Sequence, residues 1–211
     1  MKTHTLIDML ARGAGPAPRA LAVRRLSPAA VAGLLVSAWA AITWFGAIPA
    51  EMFATAVPWT KMAYAGAMAL AAGWLTARLS RPAARVQRPL RVTVAVVVGM
   101  AVVGGASLVV EPAGGRVQAL LGHSWSSCPW SVLVLSLPAL AASLWAVRGL
   151  APTRPRAAGF AGGLMAGSVG AFGYSLACPE ASSAFVALWY TLGIALTGAV
   201  GAALGPRVLR W

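Results

Sequence analysis

The chain has 211 residues, 59% of them hydrophobic and 10% charged, whereas an ordinary soluble domain is roughly a quarter charged. With a mean hydropathy of +0.77, this composition excludes a soluble globular protein and puts a membrane first. Seventeen Lys and Arg against 4 Asp and Glu give a net charge of +13, while two cysteines, two histidines and four acids leave little for a multi-ligand metal centre or the carboxylate pairs of most hydrolases.

Residues 1–27 form a short head and linker. Thr5 with Asp8 three residues later resembles a capping box, and Leu6, Ile7 and Leu10 form a small apolar stripe. One or two turns are not stable alone. The segment therefore reads either as a frayed tail or as a helix that folds on a partner. Residues 12–18 are a linker of Gly, Ala, Pro and Arg.

A hydrocarbon core about 30 Å thick needs about 20 apolar residues in helical form. Six runs fit, predicting an all-α integral membrane protein, a bundle of six transmembrane helices within residues 28–211. The spans are 28–48, 62–79, 92–110, 129–147, 157–177 and 184–204. Ser27 before Pro28 and Cys128 before Pro129 read as N-caps followed by proline at the first helical position, and Ser182 or Ser183 caps the sixth span. The leader and first span exceed the usual regions of a cleaved secretory signal, although Ala54-Thr55-Ala56 has the form of a cleavage site.

Fifteen of the basic residues lie on one side of these spans, leaving Lys61 and Arg116 on the other. Basic residues are retained on the cytoplasmic side, so both termini are expected inside, with the charge setting topology rather than binding nucleic acid directly. The nine tryptophans, terminal Trp211 included, read as interfacial anchors. Glu51, Glu111, Glu180, Cys128 and Cys178 fall in the outer loops, which in a bacterium lie in the periplasm, where disulfides persist.

As bounded, the spans hold no ionisable residue, Lys61 standing at the outer edge of the second. That disfavours an ion-coupled transporter. Ser37, Thr93, Ser136, Ser168 and Thr197 are expected to bond back to the preceding turn. Gly159, Gly163 and Gly167 recur every four residues, as do Gly193, Thr197, Gly201 and Gly205. Such faces let backbones approach closely and predict a tight hairpin of the last two spans, although a homodimer would use the same packing.

Cys128 at a helix N-terminus is expected to be the better nucleophile, and Cys178 follows a helix C-terminus, with Pro179 preventing continuation. Three readings stand open: a static disulfide, a redox or thiol-reactive sensor pair, and a metal site joining Cys128 and Cys178 with His123, Glu180 or Glu111. No fixed ligand spacing supports the third. The two Cys-Pro dipeptides are too short to specify haem, and no cofactor is expected. A membrane thiol oxidoreductase would want a C-x-x-C pair or a second thiol couple, which the chain lacks. A small transporter would want polar midplane residues and broken helices.

Three segments resemble a known family: Leu6-Ile7-Asp8-Met9-Leu10, Ala151-Pro152-Thr153-Arg154-Pro155, and residues 178–194, CPEASSAFVALWYTLGI. With six spans, a short cytoplasmic head and the closing Leu209-Arg210-Trp211, the whole chain is similar to the NrsF-type (negative regulator of sigma F) membrane anti-sigma factors. The head around His4 departs from that family's tendency toward acidic residues. The resemblance implies a non-enzymatic inner-membrane protein that holds an extracytoplasmic-function sigma factor at the cytoplasmic face. It further implies that Leu6, Ile7, Asp8 and Leu10 contact the sigma factor, and that Cys128 and Cys178 sense oxidative or thiophilic-metal stress and release it.

Overall fold

The computed structural model describes residues 3–13, 21–81, 84–150 and 152–210. Among them the chain folds as eight helices: α1 (Thr3–Gly13), α2 (Leu21–Phe45), α3 (Ala56–Leu79), α4 (Gln87–Val110), α5 (Arg116–Leu121), α6 (Cys128–Arg148), α7 (Pro155–Tyr174) and α8 (Ser183–Val208). A 3-10 turn, Ala50–Ala54, precedes α3, and a π turn, Val186–Tyr190, interrupts α8. The expected all-α architecture is present.

Several helix starts differ from expectation. The α1 helix begins at Thr3 and runs 11 residues, so Thr5 lies inside it rather than capping it. The linker at 14–18 and Trp211 lie outside the described residues. The α2 helix begins at Leu21, which places Pro28 in its interior and removes Ser27 as a cap. Proline deprives the carbonyl four residues earlier of its partner; buried Ala22 and Leu26 nevertheless hold the preceding turns against the bundle. Ser127 occupies the cap position of α6, one residue before the Cys128 expected there. Ser182 does cap the final helix, its hydroxyl accepting from Phe185 N at 3.4 Å.

Four helices, α2, α4, α6 and α8, are by themselves long and apolar enough to cross a membrane. The expected second and fifth spans correspond to α3 and α7, which are not among those four. Composition explains both. The α3 helix carries Lys61 and Arg78 beside Tyr64, and α7 carries six glycines, a residue that contributes little hydropathy.

The glycines make α7 the axis of the bundle. Fifteen of its 20 residues are buried, and it packs against α2, α3, α6 and α8. Gly163 faces the backbone of Thr197 and Gly198, and Gly167 that of Ile194. On other sides Gly170 meets Ser136 of α6 and Gly173 meets Ser37 of α2. The expected α7–α8 hairpin is thus formed, and its small-residue face is filled within one chain. Gly193 instead faces Val132 of α6.

Hydroxyls inside the bundle mostly bond back one turn, as Thr93 to Pro89 O, Ser168 to Leu164 O and Thr197 to Gly193 O show. Ser37 departs from that pattern and donates across helices to Gly170 O at 3.3 Å. At the periphery, α4 has the highest mean hydropathy of the four apolar helices, 2.3, yet only 17% of that stretch is buried.

Arginines gather at one end of the bundle. Arg24, Arg25 and Arg148 line one cavity there, and Arg78, Arg81 and Arg154 line another.

Candidate functional site

The cysteines lie at the opposite end. After Tyr174 the chain turns tightly, Cys178 N donating to Tyr174 O at 3.0 Å, before Pro179 sends it away. Cys128 begins α6 with its N–H bonded to Ser124 O at 2.8 Å. Both residues are free thiols with no exposed surface. Both lie at this end of the bundle, where Lys61 of α3 reaches the Cys178 carbonyl. The Cys128 side chain is enclosed as fully as that of Cys178, although Ser127 and Trp130 at the same helix N-terminus are exposed.

Lys61 fills the space beside them. It sits in the second turn of α3, not at its edge, and is completely buried. Its Nζ donates to Cys178 O at 2.8 Å, and its electrostatic neighbours are Cys178, Glu180 and Cys128. Lys61, expected at the outer edge of the second span, thus lies inside the corresponding helix, which begins at Ala56. A buried ammonium is costly unless paired or hydrogen-bonded, and here the Cys178 carbonyl supplies the bond.

All three tyrosines of the chain are buried around it. Tyr64 lies one turn after Lys61, with its hydroxyl 2.6 Å from Thr191 Oγ1. Tyr174 and Tyr190 stack obliquely at 5.9 Å, and Phe45 meets Tyr174 edge-on at 5.6 Å. The Tyr190 hydroxyl is fully enclosed near Cys178 without a well-formed hydrogen bond.

Glu180 ties the outer loops over the cluster. Its Oε1 accepts from His123 N at 2.8 Å, from Ser124 N at 2.9 Å and from Ser124 Oγ at 2.9 Å. Gly122 makes this approach possible: its φ is +59°, and a Cβ there would come within 2.6 Å of Glu180 Oε2. Trp189 adds a second tie, its Nε1 donating to Leu120 O at 2.9 Å while its ring meets Trp125 at 5.7 Å.

Of the candidate metal ligands, Glu111, His123 and Glu180 line one cavity of about 490 Å³. Glu180 is engaged by backbone amides there, and the His123 ring pairs with Gln118 at 3.3 Å. Among the described residues no three His, Cys, Asp or Glu side chains converge to hold a metal ion.

At the head, Ile7, Asp8 and Leu10 are exposed on α1, as is Met9. Apolar side chains of this size held open on a helix are available to a partner. Lys61 and the tyrosines went unread in the sequence, although the chain has only one lysine besides Lys2 and only three tyrosines. Their rarity, with Lys61 and Tyr64 three apart on one helical face, was the available signal.

The structure is a helical bundle with four helices long and apolar enough to cross a membrane, with buried thiols at one end and arginines at the other. The chain belongs to the NrsF family, described as negative regulator of sigma F, whose match spans residues 10–211. It is 41% identical over 217 residues to the anti-sigma-F factor NrsF of Caulobacter vibrioides, covering 100% of both chains. A probable anti-sigma-F factor NrsF of Azospira oryzae is 38% identical over 218 residues, again covering 100% of both. No solved structure matches. The family match begins at Leu10, so Leu6, Ile7 and Asp8 precede it.

Proposed function

We propose that this chain is an inner-membrane anti-sigma factor in which six helices, α2, α3, α4, α6, α7 and α8, cross the bilayer with both termini in the cytoplasm. The α1 helix holds an extracytoplasmic-function sigma factor through Leu6, Ile7, Asp8 and Leu10. The outer cluster of Cys128, Cys178 and Lys61 receives the stress signal. Full-length similarity to two relatives named as anti-sigma-F factors carries the regulatory role. The sensing role is supported by one observation above others: two enclosed thiols at the end opposite the arginines, with a buried lysine bonded to the Cys178 carbonyl.

The physics of release follows from that enclosure. A thiol oxidant taking two electrons and two protons from Cys128 and Cys178 would join α6 to the segment after α7, while a thiophilic metal would add volume. Either change must repack the wall formed by Tyr174, Tyr190 and Lys61. Moving a sigma factor from almost fully held to almost fully free requires the two states to differ by about 5.5 kcal/mol. Strain in a close-packed bundle can supply this because packed helices shift between discrete arrangements.

A sigma-dependent reporter tests the sensor. Cys128→Ser and Cys178→Ser are each expected to abolish induction by diamide or cadmium while leaving basal repression intact. Normal induction in both variants would remove the thiols from the mechanism. For the head, Leu6→Asp with Leu10→Asp is expected to lower sigma capture in a pull-down at least about tenfold. Unchanged capture would remove α1 as the contact.

A further inference from the structure

We propose that the side of the bundle between α3, α4, α7 and α8 is a binding site for a single anionic phospholipid, with its headgroup phosphate held by Arg78, Arg81 and Arg154. The proposal rests on the membrane reading above. An apolar groove of about 440 Å³ runs here, lined by Met68, Leu75, Val94, Val97, Phe160 and others. At its end Leu79, Val86 and Arg154 line both this groove and a second cavity of about 280 Å³ that holds Arg78, Arg81 and Thr153. One continuous site is therefore oily along its length and basic at its mouth.

Three observations select the occupant. The groove follows α4 from Val86 to Val98, about 18 Å of helix rise. That is close to the depth of one leaflet of a core about 30 Å thick, and it places the mouth where headgroups lie. The two hydroxyls that line the groove are already bonded, Thr93 to Pro89 O at 3.0 Å and Thr191 to Ala187 O at 2.6 Å. Apart from Arg154 at the mouth, the rest of the lining is hydrocarbon, which suits an acyl chain. Finally, three guanidinium groups and, among the described residues, no acid line the mouth, and planar guanidinium forks match phosphate oxygens.

Binding there would join α4 to the axis of the bundle. The α4 helix packs on α3 and on the first turns of α8, and the groove separates the rest of it from α7. A lipid chain would fill that separation.

Native mass spectrometry of the full chain in dodecyl maltoside, titrated with dioleoyl phosphatidylglycerol or dioleoyl phosphatidylcholine, tests this. One phosphatidylglycerol should be retained at least about tenfold more tightly than phosphatidylcholine. The triple variant Arg78→Gln, Arg81→Gln, Arg154→Gln and the groove-filling Val94→Trp should each lose that preference. Arg207→Gln with Arg210→Gln, at the same end of the chain's charge pattern but outside the site, should keep it. Equal retention of the two lipids by the wild type would overturn the proposal without any variant having to fold. Displacement by inorganic phosphate alone, or a bound peptide mass in place of lipid, would overturn it as well. Alkaline carbonate extraction separates the two claims: release into the supernatant sinks the membrane reading, whereas a membrane-retained chain without lipid preference sinks this site alone.

Discussion

The α7 and α4 helices are both expected spans, yet they are built on opposite plans. The α7 helix is glycine-rich, buried on most of its surface and packed on four neighbours. The α4 helix is valine-rich, has a mean hydropathy of 2.3 and leaves most of its surface open. In lipid, apolar side chains gain little from helix association, and close backbone approach supplies the packing energy. High hydropathy therefore marks the helix that faces outward, and small residues mark the helix that faces other helices. Among the four apolar helices, the one of highest mean hydropathy is the least buried.

Glycine substitutions break or sharpen this contrast. Gly163→Leu in α7 would drive a side chain into the backbone of Thr197 and Gly198, the latter 2.8 Å from a Cβ. A loss of at least about 3 kcal/mol is expected, read as loss of monodisperse protein in detergent. Gly104→Leu asks whether the rule follows the helix or the face. Gly104 belongs to α4, but a Cβ there would lie 2.7 Å from Ala187 of α8. A loss of about 2 kcal/mol in denaturant titration is expected, and none would mean that the α4–α8 contact is dispensable.

Smaller effects are expected where one bond is removed or none. Trp189→Phe keeps the ring but deletes the donor to Leu120 O, which should cost about 1 kcal/mol and speed proteolysis of the α5 loop. Gly99→Leu in α4 meets nothing within 4 Å, so its thermal midpoint should move by no more than the equivalent of about 0.5 kcal/mol. A large drop at Gly99 would show that α4 is covered where it is drawn open.

The sequence was readable where one physical rule acts alone. The glycine ladder of α7 and α8 depends only on helical period, so the hairpin could be read from residues 159–167 and 193–205. The Ser182 cap is equally local. The start of α2 was not readable, because the proline rule placed a boundary at Pro28 that the burial of Ala22 and Leu26 overrides. The burial of Lys61 was not readable because charge was used to bound the second span, whereas the helix begins at Ala56 and tertiary packing gives this side chain a carbonyl partner 117 residues away in the chain. The enclosure of Cys128 likewise depends on how helices meet, which no local rule carries.

The π turn at Val186–Tyr190 has a consequence for how α8 evolves and fails. Ala184 just before it and Ala187 near its start serve α4; after it, Gly201 and Gly205 serve α7. A wide turn accommodates an extra residue, and each residue advances an α-helix by about 100°. The turn therefore acts as a phase shifter between two stripes that one regular helix would not aim correctly at the same time. Deleting a single residue such as Leu188 would rotate one stripe about 100° away from its partner. The α4-facing stripe and the glycine ladder would then be competing for the same helix.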